Sequence, residues 1–180
     1  MAADEKREHW VNYLALTTVI LAVCATLSTF KGGGNSTRSV LSQTQASDQW
    51  AFYQSKSIKS YLYELQADQL KLDLAARGAS LPPEVAQQFR AKIESYEGKL
   101  KKYEGEKATI EKEARRIEGV RDDAALHGRQ FGLAVIFLQI AILLSSIAAL
   151  LKLKPVWFVG LVAGLVGIVY FANGFFLFLP

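Results

Sequence analysis

The longest uninterrupted helical pattern in the chain runs from Phe89 to Leu151, a stretch without proline or loop-like clusters. Its first part is charged and carries apolar or small residues at alternating steps of four and three, a spacing typical of a coiled-coil seam. From Phe131 to Leu151 no charge occurs, and a helix of this length can cross a hydrocarbon core about 30 Å thick. We therefore predict one helix that leaves a membrane and continues as a coiled-coil arm. The seam consists of Phe89, Ile93, Tyr96, Leu100, Tyr103, Ile110, Ala114, Ile117 and Ala124, with Lys107 and Arg121 filling the remaining positions.

Three uncharged apolar runs predict a multi-pass membrane protein. They cover residues 11–30, 131–151 and 156–179, and each has the roughly 20 residues that a membrane-spanning helix needs. A short charged tail, residues 1–10, precedes the first run, and a tight basic loop, residues 152–155, separates the last two. The expected fold class is therefore all-α, with three transmembrane helices.

The charged middle of the chain, residues 39–130, predicts a long helical hairpin between the first two spans. It is too poor in branched apolar residues for a large globular core, whereas packed helices can bury the apolar residues it has. Gly78 is expected to end the first arm helix, and Pro82 and Pro83 suit the first turn of the next. Because the turn, residues 77–84, is short, the two helices should be antiparallel.

The segment 31–38, directly after the first span, carries three consecutive glycines, Gly32, Gly33 and Gly34. Glycine permits backbone angles that other residues avoid, so we predict a hinge that ends the first helix. A phosphate-binding loop would need a glycine, lysine and serine or threonine in that order after a strand, and this pattern is missing.

The first arm helix carries two apolar stripes when its residues are placed at steps of about 100° from Trp50. The second arm helix can cover one stripe, but a hairpin has no third helix to cover the other. A neighbouring subunit is the simplest cover; the alternative is that these aromatic residues are scattered on the surface. The stripe assigned to the intrachain partner contains Trp50, Tyr53, Ile58, Tyr61, Leu62, Leu65 and Leu72. The predicted oligomer interface comprises Trp50, Phe52, Tyr63, Leu70 and Leu74.

Small and polar residues inside the last two spans indicate how those helices pack. Gly160, Gly164 and Gly167 form a small-residue pattern that lets helices approach closely. Gln139 and Asn173 are polar residues within apolar runs, and such side chains hydrogen-bond across a helix interface or line water. Both interpretations of these two residues stay open.

The residue types that carry catalysis or bind metals are not grouped in this sequence. The only cysteine, Cys24, lies in the first span, and the two histidines, His9 and His127, fall on opposite sides of the predicted membrane. Asp122 and Asp123 are adjacent on a helix and point about 100° apart, which suits solvated charges better than a shared proton. Lysines and arginines are interspersed with acidic residues, without the basic stripe of a nucleic-acid surface. We expect no catalytic residue, metal, cofactor or nucleic-acid partner.

Basic residues near the spans favour one orientation in the membrane. Lys6, Arg7, Lys152 and Lys154 place the tail and the tight loop in the cytoplasm, because short cytoplasmic loops are rich in lysine and arginine. The hairpin would then be periplasmic. The cations that dilute this bias flank the spans on the hairpin side and are Lys31, Arg121 and Arg129.

A family resemblance is carried by residues 14–31 (LALTTVILAVCATLSTFK), the three glycines that follow, and residues 47–56 (SDQWAFYQSK). These segments resemble the bacterial membrane proteins grouped as domain of unknown function 4337. The resemblance is strongest over residues 10–65 and weaker over the last two spans. It implies a bacterial cytoplasmic (inner) membrane protein with one span, a helical region and two further spans. It implies no particular activity and transfers no functional residues.

Together these features predict a non-enzymatic, homo-oligomeric membrane protein with a structural, scaffolding or accessory role. Its expected partners are membrane lipid, further copies of itself and, as one option, a larger membrane complex. The alternative is an oligomeric ion or small-solute channel whose pore is lined by one span, with Gln139 or Asn173 facing water. A third hypothesis is a sensor whose arm binds a partner.

Overall fold

The computed structural model of the chain describes residues 2–77 and 80–179, and the side chains of residues 10–77 and 80–179. Within these ranges every regular element is helical. Gly78, the predicted terminator of the first arm helix, lies outside the described residues.

Three long helices account for nearly all of the described chain. Helix α1 spans Ala2–Arg77, α2 spans Pro83–Leu151 and α3 spans Lys154–Phe176. Each helix contains a stretch that is long and apolar enough to cross a membrane. The predicted all-α class with three apolar helical stretches is confirmed, and α2 is unbroken across residues 89–151, as predicted.

The glycine-rich segment 31–38 is α-helical, so the predicted hinge is wrong. No described glycine has a positive φ, and the helix continues on both sides of the segment. The reason is tertiary packing: a Cβ on Gly32 would lie 3.1 Å from Cβ of Phe131, and one on Gly128 would lie 3.3 Å from Oγ of Ser36. These glycines let α1 and α2 approach closely, which offsets the roughly 1 kcal/mol that glycine costs a helix relative to alanine.

Proline residues mark the start of α2, as the sequence predicts. The helix begins at Pro83, and the missing proline N–H costs nothing there because the first turn has no intrahelical acceptor for it. The carbonyl oxygen of Pro82 accepts hydrogen bonds from the backbone N–H of Val85 at 3.0 Å and of Ala86 at 3.1 Å. The first turn of α2 is therefore anchored to the residue before it.

The connection between α2 and α3 consists of Lys152 and Leu153 alone, so it is shorter than the predicted loop 152–155. Lys152 has a φ of 54°, in the left-handed region that ends many helices. The N–H of Leu153 donates to the carbonyl oxygen of Ala148 at 3.1 Å. Pro155 lies in the first turn of α3, where the sequence analysis had placed it in the loop.

The chain forms two compact units. The span unit comprises Met1–Leu41 and Val120–Pro180, and the charged unit comprises Ser42–Gly119. One cluster of buried side chains in the span unit contains Leu21, Ala25, Ala134, Leu138 and Ala141. A second cluster in the same unit contains Trp10, Leu14 and Ala148. The buried apolar residues of the charged unit are Ala46, Ala67, Ile110, Ala114 and Ile117.

Candidate functional site

Within the charged unit, α1 and α2 contact each other through side chains that pair in opposite chain order. Nε1 of Trp50 donates a hydrogen bond to Oε1 of Glu118 at 2.9 Å. Nζ of Lys71 lies 2.8 Å from Oε1 of Glu97. Residues later in α1 therefore meet residues earlier in α2.

The seam predicted on α2 is the face that this helix turns away from solvent. Ala114 is fully buried, and Ile110 and Ile117 are 8% and 7% exposed. The seam positions between residues 89 and 107 are half-buried. Every large apolar side chain of residues 83–119 is buried or half-buried, so this part of α2 exposes less apolar surface than the same unit's part of α1.

The most buried positions on the matching face of α1 are small residues. Ala46, Ser60 and Ala67 are 1%, 3% and 1% exposed. Tyr53 and Leu74 are half-buried and continue the same register, seven residues from the nearest of the three. Small side chains at these positions leave room for the larger side chains of the α2 seam, because packed helices interdigitate large residues with small ones.

Tyr63, predicted to lie on the uncovered side of α1, instead contacts α2. Its ring centre lies 5.8 Å from that of Tyr103, with nearly parallel planes, and 5.4 Å from that of Tyr96. Leu70 and Leu74 are half-buried and lie seven residues after Tyr63 and the buried Ala67. Three residues of the predicted interface, Tyr63, Leu70 and Leu74, are therefore partly covered within the chain itself.

The other two residues of the predicted interface lie at the edges of the seam. Trp50 is half-buried, and its ring makes an edge contact with Tyr53 at 5.6 Å between centres. The guanidinium carbon of Arg115 lies 5.9 Å from the Trp50 ring centre. Phe52 is 49% exposed, with Nζ of Lys56 at 5.1 Å from its ring centre.

A different set of apolar side chains on α1 is exposed, and we call it the outer stripe. Its members follow one another at steps of three, one, three and seven residues, so they share one side of the helix. The second arm helix, their predicted cover, leaves them exposed, so this prediction is wrong. The outer stripe consists of Ile58, Tyr61, Leu62, Leu65 and Leu72, which are 56%, 64%, 55%, 69% and 66% exposed.

The side of α1 that contacts α2 was predicted wrongly for a geometrical reason. A straight helix drifts by about 20° per heptad relative to a seven-residue repeat, so positions counted from Trp50 leave the true seam within a few turns. Trp50, the reference residue for these angles, also lies at the edge of the seam, so the angle of every other residue is offset from the seam centre. The signal that identifies the seam is a strict spacing of seven that includes small residues, as in Ala46, Tyr53, Ser60, Ala67 and Leu74.

Two carboxylates of the charged unit are committed to lysine partners. Oε1 of Glu104 lies 2.7 Å from Nζ of Lys107, and this hydrogen bond lowers the pKa of Glu104. Oε2 of Glu106 lies 2.7 Å from Nζ of Lys56, and this hydrogen bond lowers the pKa of Glu106. Both carboxylates are therefore ionised at neutral pH and suit structural pairing better than proton transfer.

The adjacent aspartates of the span unit have separate partners. Nε of Arg121 donates to Oδ1 of Asp122 at 2.8 Å, and this bond lowers the pKa of Asp122. Oδ1 of Asp123 lies 3.7 Å from Nε2 of His127, whose Nδ1 is 2.8 Å from the carbonyl oxygen of Gly174. Among the described residues, no group of three or more histidine, cysteine, aspartate or glutamate side chains could hold a metal ion.

The three glycines singled out on α3 lie against the other two helices of the span unit, and all are buried. A Cβ on Gly164 would lie 3.0 Å from Cδ2 of Leu21 on α1. A Cβ on Gly167 would lie 2.8 Å from Cγ of Leu138 on α2. Gly160 is packed in the same way, because its Cβ would lie 3.3 Å from the carbonyl oxygen of Ala141.

The two polar residues of the last spans have different surroundings. Gln139 is exposed on the surface of α2. Asn173 is fully buried; its Nδ2 donates to the carbonyl oxygen of Leu179 at 3.3 Å, and its Oδ1 accepts from the N–H of Leu179 at 2.8 Å. Asn173 therefore fastens the residues that follow α3, a role missed because the predicted span extended to Leu179.

Aromatic and basic side chains of α1 and α3 gather at one end of the span unit. The ring centres of Trp10 and Trp157 are 6.1 Å apart, and Nζ of Lys154 lies 5.9 Å from the Trp10 ring centre. Nε1 of Trp157 donates a long hydrogen bond, 3.4 Å, to Oγ1 of Thr17. Membrane proteins concentrate tryptophan and lysine where their helices meet the lipid headgroups.

A family model described as a domain of unknown function (DUF4337) matches residues 10–177. The chain belongs to this family. The match confirms the resemblance drawn from the sequence and covers residues 10–177 without a break. The comparisons with curated proteins and with solved structures found no match.

Two apolar surfaces of this DUF4337 protein are not filled by the side chains that the structure describes. The first is the outer stripe of the charged unit. The second is an apolar groove of about 420 Å³ between α1 and α3 in the span unit, beside Thr17 and Gly164. Sequence reasoning missed the groove because it forms between residues that are distant in the chain.

Proposed function

We propose that this DUF4337 protein is a non-enzymatic, homo-oligomeric protein of the bacterial inner membrane, with a structural, scaffolding or accessory role. Residues 42–119 form an extramembrane antiparallel coiled-coil hairpin, and the three apolar helical stretches cross the membrane. The observation that carries the proposal is the outer stripe, a row of large apolar side chains that no part of the described chain covers.

Self-association is the simplest way to cover the outer stripe. Burial of one large apolar side chain contributes roughly 1.5–3 kcal/mol, so five of them can offset the cost of association. The residues beside the stripe on the same side of α1 include the uncharged Gln54 and Gln69 and the acidic Asp68. Asp68 follows Leu65 by three residues, so two associated copies would place its carboxylate at the solvent-exposed edge of their contact.

Membrane insertion is supported by the outer surface of the span unit. Large apolar side chains cover it, including Phe30, Leu150 and Phe176, which are 76%, 81% and 79% exposed. Surfaces of this kind are stable in hydrocarbon and costly in water. Lys152 and Lys154 favour a cytoplasmic location for the α2–α3 loop, and the hairpin is then periplasmic.

A pair of charge insertions tests the assembly. Leu65→Glu places a carboxylate in the middle of the outer stripe, and Gln87→Glu places the same charge on an exposed position of α2, away from the stripe. We expect the detergent-solubilised wild type and Gln87→Glu to have the mass of several chains. Leu65→Glu should dissociate to one chain of 19.9 kDa plus its micelle. A wild type that is already one chain would overturn the proposal.

A channel is the second candidate, and Gln139 favours it. This side chain is exposed on an apolar stretch of α2, and an amide is costly to leave against lipid. It therefore faces either another copy or water. Gln139→Leu should leave the assembly mass unchanged but alter ion flux into liposomes if the residue lines a pore. Equal flux in liposomes with and without the wild-type protein would exclude the channel.

A further inference from the structure

The groove between α1 and α3 has walls that suit a hydrocarbon chain. It is lined by Thr17, Ile20 and Leu21 from α1 and by Leu161, Gly164 and Leu165 from α3. The hydroxyl of Thr17 already donates to the carbonyl oxygen of Leu14 at 2.9 Å. Nothing in the wall therefore needs a polar ligand, and about 420 Å³ is within the range of roughly 300–1,000 Å³ typical of small-molecule sites.

The groove begins at the aromatic and basic end of the span unit. Trp157 lies one helical turn before Leu161, and its Nε1 reaches Oγ1 of Thr17, so the two residues meet beside the groove. Trp10 packs against Trp157, and Nζ of Lys154 lies over the Trp10 ring. A chain lying in the groove thus has tryptophan and a cation at one of its ends.

The cations at this end have no acidic partner in the part of the chain whose side chains are described. Lys152 and Lys154 are exposed, and no ion pair there involves either of them. Residues 10–30 and 131–179 contain no aspartate or glutamate, whereas residues 1–9 carry Asp4, Glu5 and Glu8 beside Lys6 and Arg7. Among the side chains described at this end of the span unit, the charged groups are Lys152 and Lys154, which complement a phosphate group.

We propose that this groove binds one acyl chain of an anionic phospholipid, whose headgroup phosphate lies against Lys154 and Lys152. The site rests on the proposed membrane location, because the bilayer supplies the ligand. The apolar walls select hydrocarbon, and the two lysines select a negatively charged headgroup over a zwitterionic one. The lipid would join α1 to α3 beside Gly164, where a Cβ would lie 3.0 Å from Cδ2 of Leu21.

The test compares two lipids with identical acyl chains, phosphatidylglycerol and phosphatidylcholine, added to the full-length protein in detergent and counted by native mass spectrometry. We expect the wild type to prefer phosphatidylglycerol by roughly five- to thirtyfold, because each lysine near an anionic headgroup contributes about a factor of five. Lys152→Gln with Lys154→Gln should remove this preference. Lys31→Gln, which removes an exposed cation elsewhere in the span unit, should preserve it.

The groove itself is tested by Leu161→Trp, which fills it and should lower retention of both lipids. Leu150→Trp is the matched control, because Leu150 is 81% exposed and is not part of the groove. Equal reduction by both tryptophan variants would mean ordinary annular lipid and would overturn the proposal. Equal binding of the two lipids by the wild type would do the same. If Leu161→Trp fails to fold, the lysine variants decide the matter, since Lys152 and Lys154 are both exposed.

Alkaline extraction of membranes separates this inference from the proposed function. A wild-type chain that stays in the membrane pellet but shows no lipid preference refutes the lipid site alone. A chain that is released into the supernatant refutes the proposed membrane location, and the lipid site is refuted with it.

Discussion

The rings of Tyr63 and Tyr103 stack across α1 and α2, with centres 5.8 Å apart and an angle of 18° between their planes. Tyr61, two residues earlier on α1, is 64% exposed and belongs to the outer stripe. Neighbouring tyrosines of one helix therefore have different surroundings. Tyr63 joins the two helices of the charged unit, whereas Tyr61 is exposed and belongs to the surface proposed for self-association.

Tyr63→Ala should destabilise the charged unit, whereas Tyr61→Ala should leave its stability nearly unchanged. A double-mutant cycle of Tyr63→Ala and Tyr103→Ala should give a coupling energy of about 0.5–1.5 kcal/mol, the range measured for aromatic pairs. The measurement is denaturant unfolding of the full chain in detergent, followed by circular dichroism. A coupling energy near zero would show that the stacked pair contributes nothing specific.

Replacing a small seam residue by a large one should also destabilise the charged unit. Ala67 is 1% exposed, so Ala67→Leu forces extra methyl groups into a packed interface at a cost of about 1–3 kcal/mol. Ala75→Leu makes the same chemical change at an exposed position of α1 and serves as the control. Thermal unfolding of both variants distinguishes the two positions. Equal melting temperatures would contradict the small-residue seam.

Two adjacent glycines should respond in opposite directions to substitution. Gly33 has open space around its Cβ position, and Gly33→Ala should stabilise α1 by up to about 1 kcal/mol through helix propensity. Gly32→Leu should destabilise the span unit, because a Cβ at Gly32 already approaches Cβ of Phe131 to 3.1 Å. Unfolding of the two variants in detergent checks both signs. If Gly33→Ala were instead the damaging change, the segment would need the flexibility first predicted for it.

Acid should weaken the charged unit through its paired glutamates. The hydrogen bond from Lys56 lowers the folded-state pKa of Glu106 below the ordinary value of 4.5. A lowered pKa contributes stability above the unfolded-state value, and this contribution is lost as pH falls through the folded-state value. The melting temperature should therefore decrease as the pH is lowered below about 4.5, and this decrease should be smaller in Glu106→Gln.

Glu94→Gln is the control for the acid experiment, because it removes an exposed carboxylate elsewhere on the same helix. It should keep the acid dependence of the wild type. A steeper loss of stability toward acid in Glu106→Gln than in the wild type would contradict the sign derived from the Lys56 pair.

The seam of α2 could be predicted because large residues occupy most of its heptad positions. On α1 both apolar stripes contain large residues, so side-chain size alone did not show which stripe faces α2; the most buried positions of the covered face are the small residues Ala46, Ser60 and Ala67. Helical wheels weigh residues by size and polarity, whereas an interface of two helices also needs places where a side chain is small. The outer stripe was therefore recognised as apolar and assigned to the wrong neighbour.

The glycine segment illustrates a second limit of sequence reasoning. Local propensity favours a break at residues 31–38, and nothing nearby in the sequence opposes it. The decisive contacts come from Phe131 and Gly128, about one hundred residues away in the chain. The groove beside Thr17 and Gly164 has the same origin, because its walls belong to the first and last helices.

The three tryptophans provide a separate intrinsic fluorescence signal for each of the two units. Trp50 lies in the charged unit, with its indole N–H bound to Glu118. Trp10 and Trp157 share one cluster of the span unit, close enough to quench or couple as a pair. A variant that keeps only Trp50 would emit from the charged unit alone, and one that lacks Trp50 would emit from the span unit alone. The melting of each unit can thus be followed separately without attaching a dye.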